Sequence, residues 1–172
     1  MMKKYMYILF FLLGIGIVKY ESKNYTINIT RSLPLGIYRL EEAQNIKIGD
    51  IVQFQLEEKE MKFLKDRGYL PEIADTLLKI VAANKETAKK IHIEESELFP
   101  ILYIENKNWG PIFKKDSKGR NIPALSLEEI KPKEGEYLLL SPVFKSYDGR
   151  YWGSITEDRI LHKAVPVFTL QN

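Results

Sequence analysis

Two side chains of this 172-residue chain have the types and surroundings that nucleophilic chemistry needs: Ser32, in the stretch ITRSLPLGIY, and Lys79, in TLLKIVAA. A serine hydroxyl is a weak nucleophile until a base takes its proton, and a lysine amine is a base only when neutral. Burial disfavours the ammonium and can lower its pKa by several units. Leu77, Leu78, Ile80 and Val81 are the neighbours such a lysine requires. Plainer readings stand beside this one, because a lysine in an apolar strand also snorkels from a sheet edge and Ser-x-Pro also makes a turn. Thr30 lies two positions before Ser32, so an extended chain sets both hydroxyls on one side, where Thr30 can help the Ser32 amide hold an oxyanion. Downstream, KSYDGRYWG at residues 145–153 supplies Ser146, whose hydroxyl can orient a neutral amine, and Asp148 and Arg150, which can pair to fix a loop. A surface turn with aromatics folded over the core accounts for the same stretch.

Other chemistries find little in the chain. With no cysteine there are no thiol nucleophiles, thiolate metal sites or disulfides. The two histidines, His92 and His162, have no serine, carboxylate pair or second ligand beside them in the sequence, and core or surface roles are expected for both. The only Gly-x-Gly lies in the apolar N-terminus, so no phosphate-binding loop or dinucleotide fingerprint is present and no cofactor is implied. The net charge of +3 is spread along the chain, which gives no reason to expect a nucleic-acid partner. Lys114, Lys115, Lys118 and Arg120 cluster around a DSKG turn and read as a solvated hairpin tip rather than a ligand site.

The elements that must position these residues follow from patterning. After MMKK, residues 5–18 carry no charge, and residues 1–20 read as an uncleaved signal anchor and transmembrane segment. A cleaved signal peptide is the competing reading. Lys3 and Lys4 favour a cytoplasmic N-terminus, which sends residues 21–172, one domain, to the extracytoplasmic side of a membrane. NYTINIT alternates from Asn24, setting Tyr25, Ile27 and Ile29 on the apolar face of a half-buried strand and Asn28 and Thr30 on the polar face, which Ser32 continues if the chain stays extended. Pro34 and Gly36 break the pattern; Gly49-Asp50 turns into a second alternating strand at 51–56, suggesting a hairpin-like element. Residues 57–67, with acids first, bases last and Gly68 as a stop, predict a helix. Further strands are expected at 76–83, 89–93, 101–104, 137–140 and 165–170, with a turn at 116–119 able to close a hairpin. The sum is a mainly β fold, a coiled antiparallel sheet or partly open barrel with one helical insertion.

These blocks, in this order, resemble the leader peptidase (signal peptidase I) family, which works with a Ser-Lys dyad. The matching stretches are N-x-T-x-S-x-P-x-G-x-Y at 28–38, GDIVQF at 49–54, LLKIVAA at 77–83 and SYDGRYWG at 146–153. RGYL at 67–70 and the single N-terminal anchor look like its conjugative-transfer, TraF-type branch. The resemblance implies a fold of the signal peptidase type, Ser32 as nucleophile, Lys79 as general base, Thr30 with the Ser32 amide as oxyanion hole, Ser146 orienting the lysine, and Asp148 and Arg150 as supports. It also implies a secreted or pilin-like precursor protein as substrate, a lipid bilayer as partner and a bacterial cytoplasmic membrane as location, with pilin cyclisation known in the branch. Three positions depart from the family pattern: Gly149 replaces the usual serine, SPVFK replaces an acidic run, and Asn84-Lys85-Glu86 replaces Pro-Gly-Asp. A housekeeping signal peptidase and a non-catalytic tethered β module are the alternatives.

Overall fold

The structure, a computed structural model, describes residues 22–123 and 125–170. The expected anchor at 1–20 lies outside them; among the described residues no helix is long and apolar enough to cross a membrane. The fold is mainly β, a curled seven-stranded antiparallel sheet with a separate three-stranded one. In chain order the strands are β1 Tyr25–Asn28, β2 Leu35–Glu42, β3 Ile51–Phe54, β4 Leu77–Asn84, β5 Ile91–Glu94, β6 Ile101–Ile104, β7 Lys107–Pro111, β8 Glu136–Leu140, β9 Ile155–Thr156 and β10 Ile160–Leu170. The large sheet runs β1-β2-β10-β3-β4-β8-β9, and the small one β5-β6-β7. Bulges in β10 on either partner and in β4 against β8 bend the large sheet.

The helix expected at 57–67 is α1, Glu58–Asp66. Glu58 and Glu60 sit at its positive end and Lys65 at its negative end, Met61 and Leu64 point into the core, and Gly68 leaves it at φ +71°. It is inserted between β3 and β4 and packs its apolar stripe with Val52, Phe54, Val81, Leu139 and Ile160. Two short helices complete the fold, α2 Leu127–Ile130, closed by a Ser126/Glu129 capping box, and α3 Gly149–Trp152.

β4 and β8 separate the two largest core clusters. Ala82, Ala83, Leu138 and Leu140 meet the small sheet through Ile91, Leu102, Ile104 and Trp109, while Val81 and Leu139 meet α1. Strands covered on both faces read as continuous apolar runs, which is why LLKIVAA and YLLL do not alternate.

Several expectations fail at and around the N-terminal strand. Its hairpin partner is β2, not the strand at 51–54, and the C-terminal β10 inserts between β2 and β3. Gly36, taken as a break, lies within β2, where β10 comes so close that a Cβ would fall 2.1 Å from the Phe168 carbonyl oxygen. The faces are also reversed: Ile27 and Ile29 are 66% and 53% exposed, and Asn28 is buried. Asn28 turns inward because its amide is fully used there, as described below. Finally, the chain does not stay extended to Ser32; it turns at 30–33.

Candidate active site

The turn that presents Ser32 is organised by Asn28. Its Nδ2 donates to the carbonyls of Thr30, Leu33 and Pro34 at 3.0, 3.0 and 3.1 Å, and its Oδ1 accepts from the Thr30 amide and hydroxyl at 3.2 and 2.9 Å. The Tyr38 hydroxyl donates to the Pro34 carbonyl at 2.8 Å, and Leu33 is buried below. One side chain thus satisfies the polar backbone that a buried turn would otherwise orphan. The Ser32 and Thr30 hydroxyl oxygens are 3.2 Å apart. Because Thr30 gives its single proton to Asn28, the shared proton between the two hydroxyls comes from Ser32.

Lys79 lies in β4 opposite Val52, with 2% of its surface exposed. Its Nζ donates to Ser146 Oγ at 3.1 Å, and among the described residues no carboxylate pairs with it. Burial pushes its pKa down to about 8; Asp148 partly opposes that shift and Arg150 adds to it. Roughly one amine in ten is therefore neutral at pH 7.

Asp148 and Arg150 form an ion pair with both side chains fully buried. Arg150 Nε and Nη2 donate to the two Asp148 oxygens at 2.8 and 2.9 Å, and the guanidinium also donates to the carbonyls of Pro111, Phe144 and Ser146 at 2.9, 3.0 and 3.0 Å. Asp148 caps α3 through the Arg150 amide and accepts from the Ser141 amide at 3.0 Å. Satisfying every donor in this way is what makes a buried guanidinium tolerable. Gly149 is needed between them, since a Cβ there would lie 2.6 Å from Leu138 Cδ1 and 2.8 Å from the Leu139 carbonyl oxygen. The missing serine at this position is thus a packing requirement of this chain.

Thr30, Ser32, Lys79 and Ser146 line one cleft of about 560 Å³, whose apolar wall includes Leu64, Leu77, Phe113, Tyr147 and Tyr151. Asp148 and Arg150 stand behind it, holding the loop that carries Ser146. Among the described residues no hydrogen bond joins Ser32 to Lys79. His162 bonds Gln53 at 2.9 Å and His92 stacks on Tyr103, both outside the cleft lining.

The model of the family described as signal peptidase, peptidase S26, matches residues 1–169. The chain belongs to the peptidase S26 family. It is accordingly a peptidase of the signal peptidase type, in a family whose substrates are precursor proteins and whose members are generally associated with membranes. Two relatives are each called conjugal transfer protein TraF. The protein from Agrobacterium fabrum (strain C58 / ATCC 33970) is 30% identical over 84% of this chain and 82% of its own. That from Agrobacterium tumefaciens (strain 15955) is 29% identical, with the same coverage of both chains.

Sequence reasoning missed two parts of this candidate site. Ser141, fully buried at the end of β8, donates through Oγ to the Ser32 carbonyl, and its amide binds Asp148, so it ties the Ser32 turn to the ion pair. The turn at 116–119 forms part of the cleft through Lys115, Asp116 and Ser117. Asp116 accepts from Tyr69 Oη at 2.6 Å and Arg120 Nε at 2.7 Å. Ser141 carried no signal, as one serine before a proline; the turn was legible from DSKG but read as a solvated hairpin tip, and the structure corrects that by folding it over the cleft, where Tyr69 of RGYL bonds Asp116.

Proposed function

We propose that this chain is a membrane-anchored serine endopeptidase with a Ser-Lys dyad, which processes signal peptides or pilin-like precursors in conjugative transfer and type IV secretion. The observation that carries the reading is Lys79: a buried amine with a lowered pKa, bonded to a hydroxyl and, among the described residues, to no carboxylate, in the cleft that also holds Ser32. The name shared by the two Agrobacterium relatives supports the conjugative assignment.

In this mechanism neutral Lys79 accepts the Ser32 proton as Oγ attacks the scissile carbonyl carbon. Catalytic hydrogen bonds commonly tighten only with substrate in place, which accommodates the absence of a Ser32–Lys79 bond in the free site. The Ser32 amide holds the developing oxyanion, and Thr30 joins it by swinging its proton away from Asn28. The new lysine ammonium then gives its proton to the departing amine, leaving an ester at Ser32. Ser146 keeps the amine aimed, with Asp148 and Arg150 holding the Ser146 loop. Water at the ester gives hydrolysis; a peptide amine in its place gives cyclisation.

Residues 1–20 anchor the chain in the bacterial cytoplasmic membrane, with the domain from residue 21 on the extracytoplasmic side. Twelve residues separate Tyr20 from Ser32, a reach of at most about 40 Å when extended. The exposed Ile27, Ile37, Val167 and Phe168 on β1, β2 and β10, with Ile29 just past β1, suit a sheet end lying against lipid. The test is cleavage of co-expressed pilin-like and ordinary secretory precursors by wild type, Ser32→Ala and Lys79→Ala, read by mass spectrometry. Either substitution should abolish cleavage, a loss of about 10⁴-fold or more. Equal cutting by wild type and variants would discard the dyad, and a product lighter by one water would reveal cyclisation.

A further inference from the structure

The cleft is charged in a way the proposed chemistry does not use. Beyond the buried Lys79, its lining includes the cations Arg31, Lys115 and Lys145 and one carboxylate, Asp116. All three cations are exposed at the cleft, and among the described residues none of them makes an ion pair. Asp116 cannot balance them. Its oxygens take the Tyr69 hydroxyl, the Arg120 guanidinium and the amides of Lys118 and Arg120, with Arg67 at 4.0 Å. The Tyr69 hydroxyl and these donors hold it well below the usual carboxylate range, as a spent anion inside the turn. The cleft therefore presents three uncompensated positive charges around an apolar floor, from three separate parts of the chain: the Ser32 turn, the 116–119 turn and the loop before α3.

We propose that this rim selects substrate segments bearing a carboxylate within a few residues of the scissile bond, held by Arg31, Lys115 and Lys145. The inference rests on the peptidase reading and adds its substrate class. A low-dielectric floor beside unpaired cations strengthens attraction for an anion relative to open solvent, and it penalises a cationic segment by like-charge repulsion. The carboxylate is either an Asp or Glu side chain or a free chain terminus.

The test uses the full chain carrying Ser32→Ala in phosphatidylcholine nanodiscs and fluorescent peptides with a small residue before the scissile bond. The peptides carry Glu, Gln or Lys pairs on either side of that bond, each with a free or an amidated C-terminus. Binding is read by anisotropy at low and high salt, and the same peptides are offered to the wild-type chain for cleavage. Glu peptides should bind about tenfold more tightly than Gln peptides, with roughly threefold lost for each of Lys115→Gln and Lys145→Gln, and the preference should shrink in high salt. The amidated set separates side-chain from terminal carboxylates. Equal binding of Glu and Gln peptides overturns the proposal, as does a preference that is undiminished in the Lys115→Gln/Lys145→Gln double variant. If those substitutions alter only retention on phosphatidylglycerol vesicles, the cations serve lipid and the proposal falls. Charge-selective binding without any cleavage by wild type sinks the peptidase reading while the rim stands; cleavage with no charge preference does the reverse.

Discussion

Lys79 and Arg150 are both buried cations, 2% and 0% exposed, and their surroundings treat them in opposite ways. Arg150 has a carboxylate at 2.8 Å and carbonyls from Pro111, Phe144 and Ser146, so its charge is permanent and its position fixed. Lys79 has one hydroxyl and a share of the field of Asp148, and its pKa drops to about 8. The difference lies in residue type as well as partner. A guanidinium stays charged at any accessible pH and needs a full set of acceptors, whereas an amine can shed its proton when none is supplied. One cation serves as a strut and the other, in the proposed mechanism, as a base, and Ser146 links them, taking the Lys79 bond on its hydroxyl and the Arg150 bond on its carbonyl.

The strongest way to break this contrast is Arg150→Met. It strands a buried Asp148 and should destabilise the fold by about 3–5 kcal/mol, seen as a lowered denaturant midpoint. Lys79→Met should act with the opposite sign. Folded Lys79 titrates near 8 against 10.5 when unfolded, so at pH 7 the folded state binds the proton less well than the unfolded state, and removing the amine should stabilise by on the order of 3 kcal/mol while cleavage vanishes. Stability of the wild type should then rise relative to Lys79→Met from pH 8 to 10.5 and match it above, as melting curves at stepped pH will report. Cleavage itself should climb about tenfold per pH unit up to near 8 and level off; a flat profile would mean that the amine is already neutral at low pH or is not the base.

Smaller effects sharpen the strut side. Gly149→Ser restores the usual family residue but drives a Cβ into Leu138 and the Leu139 carbonyl, and should cost about 1–2 kcal/mol. Ser141→Ala removes the hydroxyl bond to the Ser32 carbonyl while keeping the amide bond to Asp148. A loss of about 1 kcal/mol in stability, with a larger proportional fall in kcat than in KM, would separate positioning of Ser32 from simple packing.

Reading the chain in order recovered α1 within a residue at each end, β6 to the residue, and the cores of β4 and β8, because their apolar periodicity is local. It missed β2 and β7, where Pro and Gly sit inside pairing strands, and it misjudged the faces of β1. Alternation identifies two faces but not which one is buried; here the polar one is, since Asn28 spends its amide on the turn that holds Ser32. The residue types at 30, 32, 79, 146, 148 and 150 were legible because chemistry restricts them: an amine between leucines, and an aspartate two residues from an arginine.

By itself the sequence determined that the chain has a hydroxyl nucleophile candidate, an apolar setting for one lysine and a mainly β fold, all properties of neighbouring residues. Only the tertiary structure decided what surrounds Lys79, that β10 rather than β3 flanks β2, that Ser141 ties the Ser32 turn to Asp148, and that Lys115 stands at the cleft. Those depend on contacts between segments far apart in the chain: Ser141 and Ser32 are 109 residues apart, and the β10–β2 pairing spans more, from Leu170 to Leu35. Local patterning carries no information on such pairings, because they arise from how the whole sheet curls and closes its core.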